Sequence, residues 1–497
     1  MNRITSTYLH QLQSIYWNIG DRGIRVDKAQ IDLNKLKIKA EIIKQLEIPS
    51  KQWGIHVFVG AENDPGKTTN AVNLNATQGE RALLAKMKDI GYNIPKITKK
   101  NEEGEYESKY SVGELALQKM LTENQFNFSG GDPAIRAILK VRELGKILSV
   151  YLSSRLLPRR EDEEWFYYFL SLYNVAATLT GRRASRKHTF GFGNNAQNFP
   201  KHSEVAHFFR EVLIPRPGNI FLMVDQMQAE EWPVSALSQN LTALSELSSG
   251  VDRHSKLASA IFDEKIPPKS SPEWSEALHG MKRYLGKKIK HARNYGMKAK
   301  RMSESLAQEG FCVSVPVCEM LLIKAASVDP SVDHIFHKYI QHELSEHHLL
   351  RTPFGRERLF IGARPNADNS SLFNEAYSYI PQSTVGDNTG FAVYELESLY
   401  PIAERRIIQE GHDSIVQDIP EDECTILRYI ERTQKAFDRK ITFHNSIEIN
   451  IPIEAEIGYD FEDTVSLKTM DAAGLRVALD KLRAKREKKI QERLAVA

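Results

Sequence analysis

A continuous apolar run that ends on an acid is the feature that most constrains the fold. Residues 219–225 (NIFLMVD) predict a buried strand, and Asp225 stands where that buried sheet would meet an open surface. A second acid, Asp413, lies in the tight turn of a hairpin predicted over residues 405–420. An acid in either place is ordinarily a turn or capping residue. As a pair, the two acids could instead hold two divalent cations about 3.5–4 Å apart and act on a phosphoryl group.

The composition of the chain restricts the classes of protein to which such a site could belong. The 497 residues are 41% hydrophobic, which is enough to build two to four domain-sized cores. The net charge is only +3, so a nucleic-acid partner would require basic residues concentrated in a groove. Cys312, Cys318 and Cys424 lack metal-ligand spacing, which indicates buried or free thiols in a reducing compartment. The sequence has neither a signal peptide nor an apolar run that could span a bilayer, so we expect a cytoplasmic protein without a membrane partner.

The periodicity of the chain predicts alternating helical and β-rich regions. Helix, turn and helix are expected over residues 1–50, with the turn at residues 20–23 (GDRG). The remaining expectations are a short strand at 51–60, helices over 73–161 with a loop at 96–110, β-rich structure at 166–225, helices at 230–345, a mixture at 350–420, and a basic amphipathic helix at 472–497. The ordinary interpretation of that last helix is a solvated surface helix.

One glycine-rich segment invites a phosphate-binding interpretation that its length contradicts. Residues 60–69 (GAENDPGKTT) follow a predicted strand, but Gly60 and Gly66 enclose five residues where a P-loop requires four. The extra residue prevents the backbone N–H groups from converging on a phosphate. We therefore predict a surface turn here.

The clearest helical segment, residues 285–310, belongs to a helix predicted around residues 283–302 that carries cations and an aromatic ring. Lys287, His291 and Tyr295 are spaced i, i+4, i+8 and so lie on one predicted helical face, with Arg283 one turn earlier. Such a face suits a nucleoside triphosphate, because cations bind phosphates and a ring packs on the base and sugar. The alternative is a solvated basic face, since further lysines decorate the same segment: Lys288, Lys290, Lys298 and Lys300.

Three segments resemble the motifs of DNA polymerase family A, the bacterial DNA polymerase I type. Residues 224–232 (VDQMQAEEW) resemble the first palm motif, usually DYSQIELR. Residues 286–296 (GKKIKHARNYG) resemble the fingers helix with pattern R-x3-K-x3-F/Y-G, and residues 411–416 (GHDSIV) resemble the palm motif built around His-Asp-Glu. They occur in the family's order and at roughly its separations. Weaker matches fill the gaps, at residues 70–87, 177–185, 194–200, 252–262, 352–358 and 380–387.

The resemblance covers the chain from about residue 15 to residue 470 and implies an α+β right-hand polymerase fold. In that fold a palm with an antiparallel sheet carries helical fingers and a helical thumb. The implied divisions are residues 1–64 for the N-terminal part of the palm, 65–165 for the thumb, 166–232 for the palm, 233–345 for the fingers, 346–470 for the palm again and 471–497 for the basic C-terminal helix.

The resemblance also implies roles for individual residues. Asp225 and Asp413 would bind two Mg²⁺ ions, with Mn²⁺ as a possible substitute, and the Gln226 main-chain carbonyl would complete one site. The residues implied for the incoming dNTP are His254, Lys287 and His291 at the triphosphate, Tyr295 stacked on the nucleotide, and Glu230 under the sugar, where it would exclude a ribose hydroxyl. The residues implied for the primer-template are Arg182, Gln197, Asn198, Gln228, Gln382 and His412.

Several positions depart from the family pattern. His291 stands where the family usually has Lys, and Ser414 replaces the Glu of His-Asp-Glu. The other departures are Trp232 for Arg, Asn374 for a common Arg, and Ala299 for a Tyr that stacks on the template. None removes a metal carboxylate, so they bear on fidelity and template handling.

The expected activity is extension of a primer 3′-hydroxyl with dNTPs on a DNA template. We expect no intrinsic 3′–5′ or 5′ exonuclease, because only about 70 residues precede the thumb motif. The alternatives are a catalytically inactive polymerase-like accessory protein that binds nucleic acid, and an enzyme that prefers an RNA template. A viral, plasmid or cellular origin stays open, with host cytoplasm as the location if the protein is viral. Replisome proteins, such as a helicase-primase or a separate exonuclease, are possible partners.

Overall fold

The computed structural model describes most of the chain. The described residues are 3–59, 71–74, 79–100, 106–122, 132–161, 163–201, 203–309, 311, 313–362 and 370–496. In these ranges, no helix is both long and apolar enough to cross a membrane. The segment at residues 60–69 and Cys312 lie outside the described residues. Cys318 is buried and Cys424 is exposed, and both are free thiols.

The first half of the chain combines long helices with short strands. Its elements are α1 (Ser6–Arg22), β1 (Ile24–Val26), α2 (Lys28–Trp53), β2 (His56–Phe58), β3 (Ala71–Asn73), α3 (Gly79–Asp89), β4 (Lys96–Lys100), β5 (Tyr106–Tyr110), α4 (Glu114–Thr122), α5 (Pro133–Lys146), a π-helix (Ile147–Leu152), β6 (Leu157–Glu161), β7 (Glu164–Phe169), β8 (Leu172–Asn174), β9 (Ala184–Arg186), a 3₁₀ helix (Ala196–Asn198), α6 (His207–Arg210) and β10 (Asn219–Gln226).

The second half begins with a helical region and returns to a sheet. Its elements are α7 (Glu231–Leu237), α8 (Leu241–Ser248), α9 (Arg253–Phe262), a π-helix (Glu276–Gly280), α10 (Met281–Asn294), α11 (Ala299–Gln308), α12 (Val315–Val328), a π-helix (Val332–His337), α13 (Lys338–Glu346), β11 (Leu349–Arg351), β12 (Glu357–Leu359), α14 (Ser370–Ser398), a 3₁₀ helix (Ile402–Glu404), β13 (Ile407–Glu410), β14 (Ser414–Pro420), α15 (Glu423–Phe437), β15 (Ile441–Thr442), β16 (Glu448–Ile449), β17 (Ile453–Gly458), β18 (Thr464–Ser466) and α16 (Ala472–Val496).

Local signals set the two predicted N-terminal helices, but the chain stays helical through Arg22, so the turn expected at residues 20–23 falls later and β1 separates the helices. The Thr5 side chain accepts a hydrogen bond from the Tyr8 N–H and caps α1, which ends at Gly23 with φ of 66°. The Asp27 carboxylate caps α2 by accepting from Gln30 N–H, and Gly54 ends that helix in the left-handed conformation.

The apolar run at residues 219–225 forms the central strand of a five-stranded sheet. The strand order is β13-β14-β10-β17-β18, and every neighbouring pair is antiparallel. Ile220 and Leu222 face one hydrophobic core, whereas Phe221 faces another. Because both faces of β10 are covered, its sequence is uninterruptedly apolar rather than alternating. The predicted buried strand and the predicted hairpin at residues 405–420 are both confirmed.

Three hydrophobic cores organise the molecule. The first joins one face of the sheet to helices α1, α7, α14, α15 and α16. The second joins the other face to α2 and α5, and the third is formed by α9, α10, α11 and α12. The β10 strand and α10 therefore belong to different cores, and the surface between them is where the candidate site lies.

Three expectations about secondary structure are wrong. The loop expected at residues 96–110 is instead an antiparallel hairpin, in which β4 and β5 pair with Lys96 opposite Tyr110, and the Lys88 and Lys96 ammonium groups lie over the Tyr110 ring. The predicted continuous helix over residues 285–310 is two helices, because the chain turns at Gly296 with φ of 68°.

The third error concerns the C-terminal helix, which is not simply solvated. Leu475, Leu479 and Leu482 of α16 are buried in the first core. Lys489 forms ion pairs with Asp460 at 3.2 Å and Asp463 at 2.6 Å. The predicted amphipathic character is therefore present, and its apolar face packs into the first core.

Candidate active site

The two acids singled out from the sequence, Asp225 and Asp413, lie close together where the central strand of the sheet ends. Antiparallel pairing sets Asp225 opposite Ser414, and the Gln226 N–H donates to the Asp413 main-chain carbonyl at 3.1 Å. Removal from water raises the pKa of Asp225 well above its usual range, and the neighbouring Asp413 charge raises it further. Removal from water also raises the pKa of Asp413. Among the described residues neither carboxylate forms an ion pair, so a bound cation would stabilise both.

The two aspartates suit a divalent cation whose remaining ligands are supplied by water and substrate. Within the described ranges, no group of three or more His, Cys, Asp or Glu side chains is arranged to hold a metal. Mg²⁺ is commonly bound through one or two carboxylates together with substrate phosphates, which two aspartates can satisfy. The Gln226 side chain is occupied elsewhere, because it donates to Thr389 Oγ1 at 2.8 Å and accepts from Asn388 Nδ2 at 2.7 Å. Only its main-chain carbonyl is therefore a candidate ligand.

Glu230 is the acceptor on which the neighbouring side chains converge. Arg182 and the Tyr295 hydroxyl both donate to its carboxylate, and His291 Nδ1 lies 3.4 Å from Oε2. Burial alone would raise the pKa of Glu230, but His291, Arg182 and Tyr295 outweigh burial and hold it below its usual range. Glu230 is therefore a fixed anion. Arg182, implied at the primer end, is held at the same carboxylate.

Tyr295 reaches Glu230 by a route that the sequence pattern did not predict. The helix α10 ends at Asn294, and Tyr295 follows it with φ of −108° and ψ of 18°. Lys287 and His291 do share a helical face, but the inclusion of Tyr295 in that helical face is wrong. The Tyr295 ring nevertheless lies 6.3 Å from the His291 ring, because the Tyr295 N–H still donates to the His291 main-chain carbonyl at 3.2 Å. Burial and the Glu230 charge raise the pKa of Tyr295 well above its usual range, so its hydroxyl is a neutral donor.

The remaining residues expected at the triphosphate differ in their charge. His254 is buried, its ring lies 6.0 Å from that of His291, and burial together with nearby cations holds its pKa well below its usual range. Arg283 Nε pairs with Asp252 Oδ2 at 2.6 Å. Lys287 forms no ion pair within the described part of the chain, and its charge acts on Asp225. Lys287 is therefore the cation that is open to an anionic ligand.

Two of the residues expected at the primer-template lie side by side. Gln197 Nε2 is 3.5 Å from His412 Nδ1 and donates to Glu410 Oε2 at 3.0 Å. Burial and the charges of Arg182 and Arg183 lower the pKa of His412 to about 4, so the ring is neutral at physiological pH. Glu410 was missed from the sequence, although an acid beside a His-Asp pair in a hairpin turn was a visible signal.

The remaining three residues expected at the primer-template are Gln228, Asn198 and Gln382. The Gln228 amide is used within the protein, because it donates to the Val251 carbonyl and accepts from the Arg253 N–H. Asn198 accepts a hydrogen bond from Tyr151 through its main-chain carbonyl at 2.6 Å. Gln382 lies half-buried on α14 beside Ser383, which bonds to the Thr180 carbonyl and so to the loop that carries Arg182.

Two further charged residues near the carboxylates were also missed. Lys201 is exposed, and its charge lowers the pKa of both Asp225 and Asp413 against the effect of burial. Glu454 of β17 lies directly opposite Asp225 in the sheet. Neither position stands out in the sequence, because both come from segments remote from at least one of the two aspartates.

Paired carboxylates at the end of the central strand, near a helix with an exposed lysine, could together bind divalent cations and a phosphate-bearing ligand. The model of "DNA polymerase family A" matches residues 63–463, and the chain belongs to that family.

Individual relatives agree with this assignment. The thermostable DNA polymerase I of Thermus aquaticus is 24% identical over 463 residues, which is 92% of this chain and 48% of the relative. The DNA polymerase of Bacillus phage SP01 is 21% identical over 483 residues, covering 89% of this chain and 49% of the relative. The chain thus spans about half the length of these curated relatives.

A solved structure confirms the fold. The POL domain of Pol1 from M. smegmatis, in complex with a DNA primer-template and dNTP, aligns with a TM-score of 0.64 at 18% identity. The alignment covers 91% of this chain and 69% of that domain's chain. The expected α+β right-hand polymerase fold is therefore confirmed.

Proposed function

We propose that the chain is a template-directed DNA polymerase that extends a primer 3′-hydroxyl with dNTPs and releases pyrophosphate. The observation that carries the proposal is the pair of desolvated carboxylates, Asp225 and Asp413, at the end of the central strand. Membership of DNA polymerase family A supports it. The partners that follow are primer-template DNA and dNTPs, the same two ligands that the M. smegmatis POL domain binds in its complex.

Two Mg²⁺ ions held by Asp225, Asp413 and the Gln226 carbonyl would activate the attacking hydroxyl and neutralise charge on the leaving group. The protein's own part is positioning. Lys287 and His291 bind the triphosphate from one face of α10. Glu230, fixed by Arg182 and Tyr295, lies under the sugar and leaves no room for a ribose 2′-hydroxyl.

The primer terminus is held by neutral hydrogen-bonding groups in this proposal. A neutral His412 and the Gln197 amide can bond to the minor groove, where every base pair offers acceptors. Such contacts recognise pairing geometry without reading sequence, as template-directed synthesis requires.

The test is primer extension with Mg²⁺ by Asp225→Asn and Asp413→Asn. Each variant keeps the shape of the side chain and removes a charge that would bind metal, so we expect extension to fall at least about a thousand-fold. Affinity for the primer-template, measured by fluorescence anisotropy, should stay within a few-fold of wild type. The control is Asp480→Asn on the exposed side of α16, which should leave both quantities unchanged.

The outcome distinguishes two functions. Extension by wild type and its loss in both variants support a polymerase. DNA binding without extension by wild type would support the inactive accessory protein instead. Retention of extension within a few-fold by either Asn variant would show that the carboxylates are not the metal ligands. Replisome partners such as a helicase-primase or a separate exonuclease are part of the proposal and are tested by co-purification.

A further inference from the structure

A second, buried ion-pair cluster lies directly behind the group at Glu230. Glu231 follows Glu230 at the start of α7, and Lys290 precedes His291 on α10. Lys290 Nζ lies 2.6 Å from Glu231 Oε1, and the two side chains are only 5% and 4% exposed. The two helices are therefore joined by two successive pairs, Glu230 with His291 in front and Glu231 with Lys290 behind.

The buried cluster extends to two further elements. Arg253 Nε lies 2.9 Å from Glu231 Oε1, and Arg253 Nη2 lies 2.8 Å from Asp329 Oδ2. Lys290 Nζ is also 3.0 Å from Asp329 Oδ2. Burial alone would raise the pKa of Asp329, but Lys290 and Arg253 outweigh it and lower that pKa to about 2. The cluster ties together α7, α9, α10 and the residue that follows α12, Asp329.

The front and back pairs differ in their access to a ligand. The front pair is separated by 3.4 Å, and its His291 side chain is 31% exposed. The back pair is shorter and is closed to solvent. If these two buried charges moved apart, each would lose its partner in a place that water does not reach, which is strongly unfavourable. The back pair therefore resists changes in the distance between α7 and α10.

We propose that Lys290 and Glu231 are positioning residues for the selection of the nucleotide sugar. They hold α10 at the distance from α7 at which His291 and Tyr295 reach the Glu230 carboxylate. Neither residue touches the nucleotide. The inference rests on the proposed function, because it takes Glu230 and Tyr295 to lie under the sugar of the incoming nucleotide.

The test compares incorporation of dGTP and GTP by a Lys290→Gln, Glu231→Gln double variant. The cluster contains two cations, Arg253 and Lys290, and three acids, Glu231, Glu246 and Asp329, so removing one of each keeps its net charge. We expect the ratio of kcat/KM for dGTP over GTP to fall about ten-fold, since small misplacements of a sugar contact lose discrimination on this scale. The KM for dGTP should rise more than kcat falls.

A matched control lies on the same helix. Lys288 pairs with Glu309 of the region after α11 and is 34% exposed, so Lys288→Gln removes an ion pair that does not reach α7. Its discrimination ratio should stay within about two-fold of wild type, because exposed pairs contribute little. Thermal unfolding of each variant separates a loss of stability from a loss of selectivity.

A second variant covers the case in which the double variant does not fold. Lys290→Arg keeps the charge and both ion pairs, but its planar fork cannot occupy the same space as an ammonium group, so the helix spacing must change. It should alter the ratio by at least roughly three-fold. If every folded variant discriminates as wild type does, the cluster serves stability alone and the inference is wrong. If wild type extends no primer, the proposed function fails and the inference fails with it.

Discussion

Replacement of Tyr295 by Phe isolates one hydroxyl at the proposed sugar site. In the structure that hydroxyl donates to Glu230, which also accepts from Arg182 and faces His291. A normal dNTP has a 3′-hydroxyl that can bond to its own triphosphate, whereas a dideoxynucleotide lacks it. The Tyr295 hydroxyl, which Glu230 holds at the sugar pocket, can supply the missing bond by turning its single proton from Glu230 to the triphosphate. Wild type should therefore accept dideoxynucleotides readily.

The magnitude follows from the bond that the Tyr295 hydroxyl would make to the negatively charged triphosphate of a dideoxynucleotide. A hydrogen bond to a charged group contributes about 1.5–3 kcal/mol, and the hydroxyl gives up its bond to Glu230 to make this one, so we take the lower end. About 1.5 kcal/mol corresponds to roughly ten-fold in a rate or binding ratio. Tyr295→Phe should therefore discriminate against dideoxynucleotides at least about ten-fold more than wild type, with dNTP incorporation nearly unchanged.

The assay is single-nucleotide incorporation of ddTTP and dTTP in separate reactions and in competition. The control is Tyr284→Phe, because Tyr284 lies on the same helix and its hydroxyl also bonds to a glutamate, Glu309, at 2.7 Å, but near the surface. That variant should behave as wild type. Equal dideoxynucleotide incorporation by wild type and Tyr295→Phe would refute the placement of α10 over the nucleotide.

Two further predictions concern stability. Burial raises the pKa of Glu410 to about 7 from an ordinary 4.5, so the folded state binds this proton more tightly than the unfolded state does. Its contribution to stability is therefore present at low pH and is lost as pH rises through about 7, which amounts to roughly 3 kcal/mol between pH 4.5 and pH 8. Urea unfolding should show wild type losing that much more stability than Glu410→Gln over this range, and parallel pH profiles would contradict it. Leu479→Ala should cost about 2–5 kcal/mol because the side chain is buried in the first core, whereas Val477→Ala, 51% exposed on the same helix, should be nearly neutral in the same unfolding assay.

The sequence predicted those elements whose signals are local. The buried strand at residues 219–225, the two N-terminal helices and the hairpin at residues 405–420 all depend on apolar pattern and on capping or turn residues within a few positions. The pairing of β4 with β5 escaped because polar residues dominate both strands, so the sequence shows no apolar alternation to detect. The break in the helix at Tyr295–Gly296 escaped because helical spacing continues across it in the sequence.

The site could be predicted as a set of residue types but not as a set of contacts. Nothing in the sequence distinguishes Lys290 from Lys288, which are neighbours on one helix. The structure buries Lys290 between Glu231 and Asp329 and leaves Lys288 near the surface. The lysines that looked like one basic face therefore divide into one buried structural cation, Lys290, and more exposed cations, among them Lys287.

By itself the sequence determined the strand that ends at Asp225, the turn that carries Asp413, the helix that carries Lys287 and, through the resemblance of its motifs, the family and the right-hand fold. The tertiary structure decided which polar and charged side chains meet: Glu230 with Tyr295, Lys290 with Glu231, and Gln197 with Glu410. Strand and helix formation depends on neighbours along the chain, and local pattern therefore reports it. The pairing and ionisation of charges depend on the distance between remote segments and on their removal from water, and both are set only when the three cores pack.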